Sequence, residues 1–220
     1  MSAARAVART VPTPYGDGRL VVHRATRGRF ATLVLSHGAG NGVEARDLAA
    51  LAADLPRQGI TVALFEQPWR VAGRRIATAP PTLDVGLAAA VRLLRPPAPF
   101  VVGGRSAGAR SAARSALGLG AAGCLALAFP LHPPGRPESS RLGELEAVSR
   151  ESVPTLVVQG EHDSMGRPEE FPDDLELVVV PAADHGFKVP ARGPLSQADA
   201  LALVVEATLE WIVRDVAGNP

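Results

Sequence analysis

The chain has 220 residues, with 23 basic and 22 acidic side chains for a net charge of +1, and only 4% of its residues are aromatic. This length fits one layered domain over residues 1–220, with 1–18 expected as a loose leading segment, and leaves no room for a second catalytic domain. Near-neutral charge and few stacking platforms give no basis for binding nucleic acid or an anionic membrane surface, and no apolar run of about 18 residues is present to span a bilayer.

Residues 1–9 carry arginines without an apolar stretch behind them, so a secretory signal is not expected. Short Val/Leu-rich runs then recur at 20–23, 32–36, 61–65, 100–103, 124–129, 155–159 and 177–180. From the second onward they are continuously apolar, the pattern of parallel strands covered on both faces. Helical spacing fills the gaps between them. Leu48, Leu51, Ala52 and Leu55 fall at i, i+3, i+4 and i+7, and Leu83, Leu87, Ala90, Val91 and Leu94 follow Thr82 as the expected N-cap. Ala109, Ala112, Ala113, Ala116 and Leu117 line one face of a helix whose opposite face carries Arg110 and Arg114. Ser196-x-x-Asp199 is a capping box that announces a last helix, with Leu201, Val204, Val205, Leu209 and Ile212 as its stripe. Strand–helix alternation of this kind predicts a three-layer α/β fold, a mostly parallel sheet with helices on both faces. Reacting groups are then expected at the carboxyl ends of the strands.

Gly104-Arg105-Ser106-Ala107-Gly108 lies between the run at 100 and an amphipathic segment, and so reads as a serine on a tight strand-to-helix turn. Such a bend brings strand and helix too close for a Cβ on either side of the serine, hence the two glycines. The competing role for Ser106 is a plain helix N-cap. Asp163 follows the run at 155 and His185 the run at 177, giving the order Ser, Asp, His at three strand ends. All three are needed by one chemistry: the hydroxyl is a weak nucleophile, an imidazole must take its proton, and a carboxylate must fix the tautomer and stabilise the imidazolium. Asp184 competes with Asp163, but a sequence neighbour cannot easily point at the ring of His185. The oxyanion formed by serine attack needs preorganised donors, expected from the backbone N–H groups of Ala107 and of Ala39 in Ser36-His37-Gly38-Ala39-Gly40. His37 is expected to order that turn and His23 to sit at a strand edge. Cys124, the single cysteine, reads as an inert core thiol and fits a reducing cytoplasm. No CxxC or HExxH spacing implies a metal.

These pieces resemble a small α/β-hydrolase-like family related at a distance to dienelactone hydrolases, whose animal relatives include a testis-expressed protein and a regulatory subunit of a histone-acetyltransferase complex. The residues that carry the resemblance are Ser36-His-Gly-Ala-Gly40, Gly103-Gly-Arg-Ser-Ala-Gly108, Phe129-Pro-Leu-His-Pro-Pro-Gly-Arg-Pro137, Pro154-Thr-Leu-Val-Val-Gln-Gly-Glu-His-Asp163 and Ala183-Asp-His185, spanning about residues 30–190. The Phe-Pro-Leu-His-Pro-Pro-Gly segment is the most family-specific, because nothing in the general fold demands it. The resemblance implies a hydrolase core without a large lid domain and carries the roles of nucleophile, orienting acid and base onto Ser106, Asp163 and His185. The elbow reads Ser106-Ala107-Gly108-Ala109-Arg110 where the family has Ser-Met-Gly-Gly-Arg, and Gly186-Phe187-Lys188 replaces an acidic or leucine-bearing continuation. Both departures bear on substrate preference, and neither removes a catalytic group. His132, Trp69 and Arg70 are candidates for contact with substrate, Arg70 with Arg74 and Arg75 as a clamp for a carboxylate or phosphate; the competing roles are a structural one in its loop for His132 and a solvated basic loop for the arginines. The expected protein is a cytoplasmic serine hydrolase of esterase or thioesterase type, acting through an acyl-enzyme on Ser106. Its expected partner is a small ester-like molecule, with no cofactor, metal, nucleic acid or membrane surface and with the oligomeric state open. The alternative is a noncatalytic interaction module that keeps the fold. A dienelactone-type reaction normally uses cysteine at the elbow, where this chain has serine.

Overall fold

In the computed structural model, which describes residues 6–218, the apolar runs are strands and most are hidden along their whole length. The strands are β1 (Val7–Val11), β2 (Gly18–His23), β3 (Ala31–Ser36), β4 (Ile60–Glu66), β5 (Phe100–Arg105), β6 (Gly123–Leu127), β7 (Thr155–Gly160) and β8 (Leu177–Val180). Every residue of β3, β4, β6 and β7 is buried. The sheet order is β1-β2-β4-β3-β5-β6-β7-β8, antiparallel across β1-β2-β4 and parallel from β4 to β8.

Two helical layers explain the missing polar alternation. The helices are α1 (Arg46–Asp54), α2 (Pro68–Val71), α3 (Pro80–Leu94), α4 (Ala107–Leu119), α5 (Leu142–Arg150) and α6 (Gln197–Trp211). Because successive strand side chains face opposite ways, Leu33, Leu35 and Val101 pack with Leu48 and Leu51 of α1 and Val204 and Trp211 of α6. Val34, Val102 and Cys124 pack instead with Leu87 of α3, Ala112 and Ala116 of α4, and Leu145 of α5. None of the described helices is long and apolar enough to cross a membrane.

Several local expectations need correction. The loose segment expected over 1–18 contains β1, which pairs with β2 from Val7 opposite Val22 to Val11 opposite Gly18; residues 1–5 lie outside the described ones. Only Val11 of this edge strand is buried, so it carries no apolar pattern. Thr82 does not cap α3: the helix begins two residues earlier, and the Thr82 hydroxyl donates to the carbonyl of Ala79, the residue at the cap. The proline pair at 80–81 opens the helix, where a missing N–H costs nothing. The buried positions of α6 are Ala200, Val204, Val205, Thr208 and Trp211, a stripe partly offset from the expected one, while the Ser196–Asp199 capping box is present. Arg110 and Arg114 are not a free polar face. Arg110 is bidentate to Glu144 of α5, and Arg114 is bidentate to Asp84 of α3 and also reaches Glu144, tying three helices together.

Trp211 closes the α1–α6 layer at 1% exposure, and a Cβ on Gly123 would lie 3.0 Å from its ring. Replacing a buried aromatic of this kind leaves a cavity that the surroundings fill only in part. Trp211→Ala is expected to lower stability by about 3–5 kcal/mol in chemical denaturation.

Candidate active site

The sheet ends at Arg105, and Ser106 follows it with φ 54° and ψ −114°, a left-handed conformation that a residue with a Cβ adopts only under strain. Both flanking glycines are required for a different reason, the closeness of the neighbouring backbone. A Cβ on Gly104 or on Gly108 would collide with the carbonyl oxygen of Ser36 at the end of β3. Ser106 occupies the cap position of α4, yet its hydroxyl makes no capping bond to the helix. The Ser106 Oγ lies instead 3.0 Å from His185 Nε2.

On the other ring nitrogen, His185 Nδ1 is 2.7 Å from Asp163 Oδ2. Facing a carboxylate, Nδ1 carries the proton and Nε2 is left to accept from the serine hydroxyl. Asp163 is fully buried; its Oδ2 also accepts from Gln159 Nε2 at 2.9 Å and its Oδ1 from the Met165 N–H at 2.8 Å. Asp184 does not compete for the ring. Its Oδ1 accepts from the N–H groups of Gly186 and Lys188 and so shapes the loop around His185, while the fully buried Phe187 anchors that loop in the core. The His185 side chain remains 25% exposed, open to a reactant.

Gln159 is a functional residue that sequence reasoning missed. Its amide spans the Phe129 backbone, the Gly166 carbonyl and Asp163, coupling the loop after β6 to the loop after β7 behind the carboxylate. The only signal was a glutamine inside an otherwise apolar strand.

The turn after β3 approaches the serine through Gly38, where a Cβ would stand 3.1 Å from that of Ser106. His37 holds this turn as expected: Nδ1–H donates to the Gly38 carbonyl at 2.8 Å and Nε2 accepts from the Gln67 N–H at 3.0 Å. Burial pushes its imidazole below the ordinary histidine range, consistent with that neutral tautomer. Ala39 is the exposed residue after Gly38. Among the described residues, neither its N–H nor that of Ala107 at the start of α4 donates to a protein acceptor. Trp69 is 3% exposed and stacks at a tilt on His37, ring centroids 5.5 Å apart, while Arg70 pairs with Glu44 at 3.0 Å. Trp69 therefore packs behind the turn, and Arg70 holds Glu44, whose Oε1 also accepts from the Gly42 N–H farther along the same connection. Trp69 also lines a cleft of about 290 Å³ with Tyr15, Arg74 and Thr82. Cys124 is buried, which pushes its thiol up to about 12 and leaves it unreactive.

His132 belongs to the loop that supports Asp163. Its N–H donates to the Met165 carbonyl, and its ring sits between the Pro133 carbonyl at 2.9 Å and Glu170 Oε2 at 2.9 Å. Two acceptors favour the doubly protonated ring: the Pro133 carbonyl first and then Glu170 raise its pKa above 6.5. Glu170 is held below its usual 4.5 by the Arg167 N–H and then by His132. A raised histidine stabilises the fold below 6.5 and loses this as pH climbs through its folded value; a depressed carboxyl stabilises above 4.5 and loses this as pH falls. Glu170→Gln is therefore expected to lower the melting temperature most between pH 4.5 and 6.5, with the difference from wild type shrinking at alkaline pH.

A sequence profile of an alpha/beta hydrolase domain matches residues 29–213. Among solved structures, a serine hydrolase without a lid from Xanthomonas campestris superposes with a TM-score of 0.69 at 20% identity, covering 100% of this chain and 99% of its own. A dienelactone hydrolase from Anabaena variabilis gives 0.72 at 18% identity, with 98% and 100% covered. Est1E from Butyrivibrio proteoclasticus gives 0.69 at 14% identity, with 94% and 99% covered. No curated protein sequence matches the chain. At these identities the structural likeness is one of fold, and together with the profile match over most of the chain it has one consequence: the chain belongs to the α/β-hydrolase family.

Proposed function

We propose that this α/β hydrolase cleaves an ester or thioester of a small molecule through an acyl-enzyme on Ser106. The observation that carries the reading is the unbroken hydrogen-bonded chain from Ser106 Oγ through the His185 ring to Asp163, at 3.0 and 2.7 Å. In the first half-reaction Ser106 Oγ attacks the carbonyl carbon while His185 Nε2 takes the hydroxyl proton and Asp163 stabilises the imidazolium. The carbonyl oxygen, now an anion, is received by the N–H groups of Ala39 and Ala107, aided by the positive end of α4. Collapse breaks the bond to the alcohol or thiol, which leaves with the proton from Nε2. Water then attacks the acyl-enzyme, gives its proton to Nε2, and releases the acid as Ser106 regains its hydrogen.

Loss of one oxyanion donor costs roughly 3–4 kcal/mol of transition-state stabilisation, so the shape of the turn at Gly38 counts as much as a side chain. In this reading Trp69 and Arg70 serve substrate binding through the connection after β3 that they support, and His132 through the loop under Asp163. The lone buried thiol suits a reducing compartment, and a cytoplasmic setting is part of the proposal.

A panel of p-nitrophenyl esters and acyl thioesters of increasing chain length tests the reading. Turnover is expected in wild type, with a fall on the order of 10³-fold or more in Ser106→Ala and about 10⁴-fold in Asp163→Asn, neither variant losing its fold. Equal rates in wild type and Ser106→Ala would contradict it, and no turnover in either would leave the fold as a binding module.

A further inference from the structure

We propose that Arg105, the residue between the first elbow glycine and the serine, is the positioning residue for the imidazole base, and that Asp47 is its fixed counter-charge. The proposal rests on the hydrolase reading above.

Strand alternation turns Arg105 to the same side as Val101, into the layer covered by α1 and α6. There its side chain is 7% exposed and reaches three parts of the site at once. One terminal nitrogen donates to the His185 carbonyl at 2.7 Å. The same nitrogen lies 3.6 Å from where a Cβ on Gly186 would stand, and the other lies 3.7 Å from that point on Gly38 in the oxyanion turn. Nε faces Asp47 Oδ2 at 3.3 Å, from the first turn of α1.

The two contacts differ in quality. Neither Asp47 oxygen nor Arg105 Nε forms an aligned hydrogen bond, so the contact with Asp47 is ionic only. The directed bond goes to His185. A guanidinium keeps its proton under all ordinary conditions, so burying it requires an opposite charge nearby; the fully buried Asp47 is placed to supply it, with burial pushing its carboxyl up and Arg105 favouring the charged form against that. A loosely aligned buried pair adds little stability compared with apolar residues of similar volume. What apolar residues could not do is hold the His185 carbonyl.

That carbonyl matters because His185 stands on a loop beyond the end of β8. Asp184 shapes the loop through the N–H groups that follow His185. Arg105 fixes the plane of the peptide leaving His185. Together they set the direction in which the ring leaves the backbone, and a misplacement of about 1 Å at such a centre costs on the order of 10²-fold in rate. Because Arg105 is next to Ser106 in the chain, the nucleophile and the base share one rigid reference.

The test uses wild type, Asp47→Leu, Arg105→Met, the double variant Asp47→Leu/Arg105→Met and Arg105→Lys, with thermal stability and the kcat and KM of a p-nitrophenyl ester measured for each. Each single apolar variant strands a buried charge or removes its partner and is expected to lose stability. The double variant is expected to recover stability near wild type while kcat stays about 10²-fold low at unchanged KM. Wild-type kcat in the stable double variant would overturn the proposal, since a purely structural ion pair would be fully replaced. Arg105→Lys keeps the charge but cannot bridge Asp47 and His185 with one planar fork, and covers the case in which the double variant does not fold. A roughly tenfold fall in its kcat at intact stability supports the proposal, and an unchanged kcat overturns it. Failure of the hydrolase reading is separate, being seen with Arg105 and Asp47 untouched, as no turnover in wild type or as turnover that Ser106→Ala leaves intact.

Discussion

The close approach between the end of β3 and the β5–α4 turn is the constraint from which the rest of the site follows. The Ser36 carbonyl sits where a Cβ on either Gly104 or Gly108 would have to go, so strand, turn and helix can meet only with glycine at both positions. This forces Ser106 to a positive φ, a strain of about 1–3 kcal/mol, and turns its hydroxyl away from the helix it precedes. The same approach brings Gly38 against the serine, so nucleophile and proposed oxyanion turn are fixed by one contact. Small side chains on the inner face of α4, such as Ala109, Ala112 and Ala116, let the helix follow the sheet closely.

The other two members arrive from the far side of the sheet. Parallel register between β6, β7 and β8 puts the loops carrying Asp163 and His185 at the same edge as the elbow. Gly160 continues the logic of close approach, since a Cβ there would meet the carbonyls of Ala183 and Asp184. Buried polar side chains then tie the loops to one another: Gln159 behind Asp163, the His37 ring to the Gln67 N–H, His132 to Glu170, and Arg105 beneath His185. Because Gln159, His37, His132 and Arg105 are buried, each of these hydrogen bonds is costly to leave unmade, and the loops are held in one arrangement.

Much of the fold could be read from the residues because two-sided burial writes itself as unbroken apolar runs, and close backbone approach writes itself as glycine. The runs at 32–36, 100–103 and 155–159, the capping box at Ser196 and the order Ser106, Asp163, His185 are of this kind. Features with one-sided or distant causes were not legible. β1 exists because β2 offers an open edge, and only Val11 records it. α5 is short, and the ties of Glu144 to Arg110 and Arg114 join residues that are far apart in the chain. Arg105 and Asp47 have no local pattern linking them. The packing of Trp69 on His37 and the pairing of Arg70 with Glu44 likewise depend on a turn folded from another part of the sequence.

The central claim is that Ser106 is a nucleophile poised by His185, and covalent capture tests it most directly. Wild type treated with a fluorophosphonate and read by intact-protein mass spectrometry with peptide mapping should gain one phosphonyl group, on Ser106, and should lose that label in His185→Ala as well as Ser106→Ala. A folded wild type that gains no label, or gains it on a residue other than Ser106, would contradict the account.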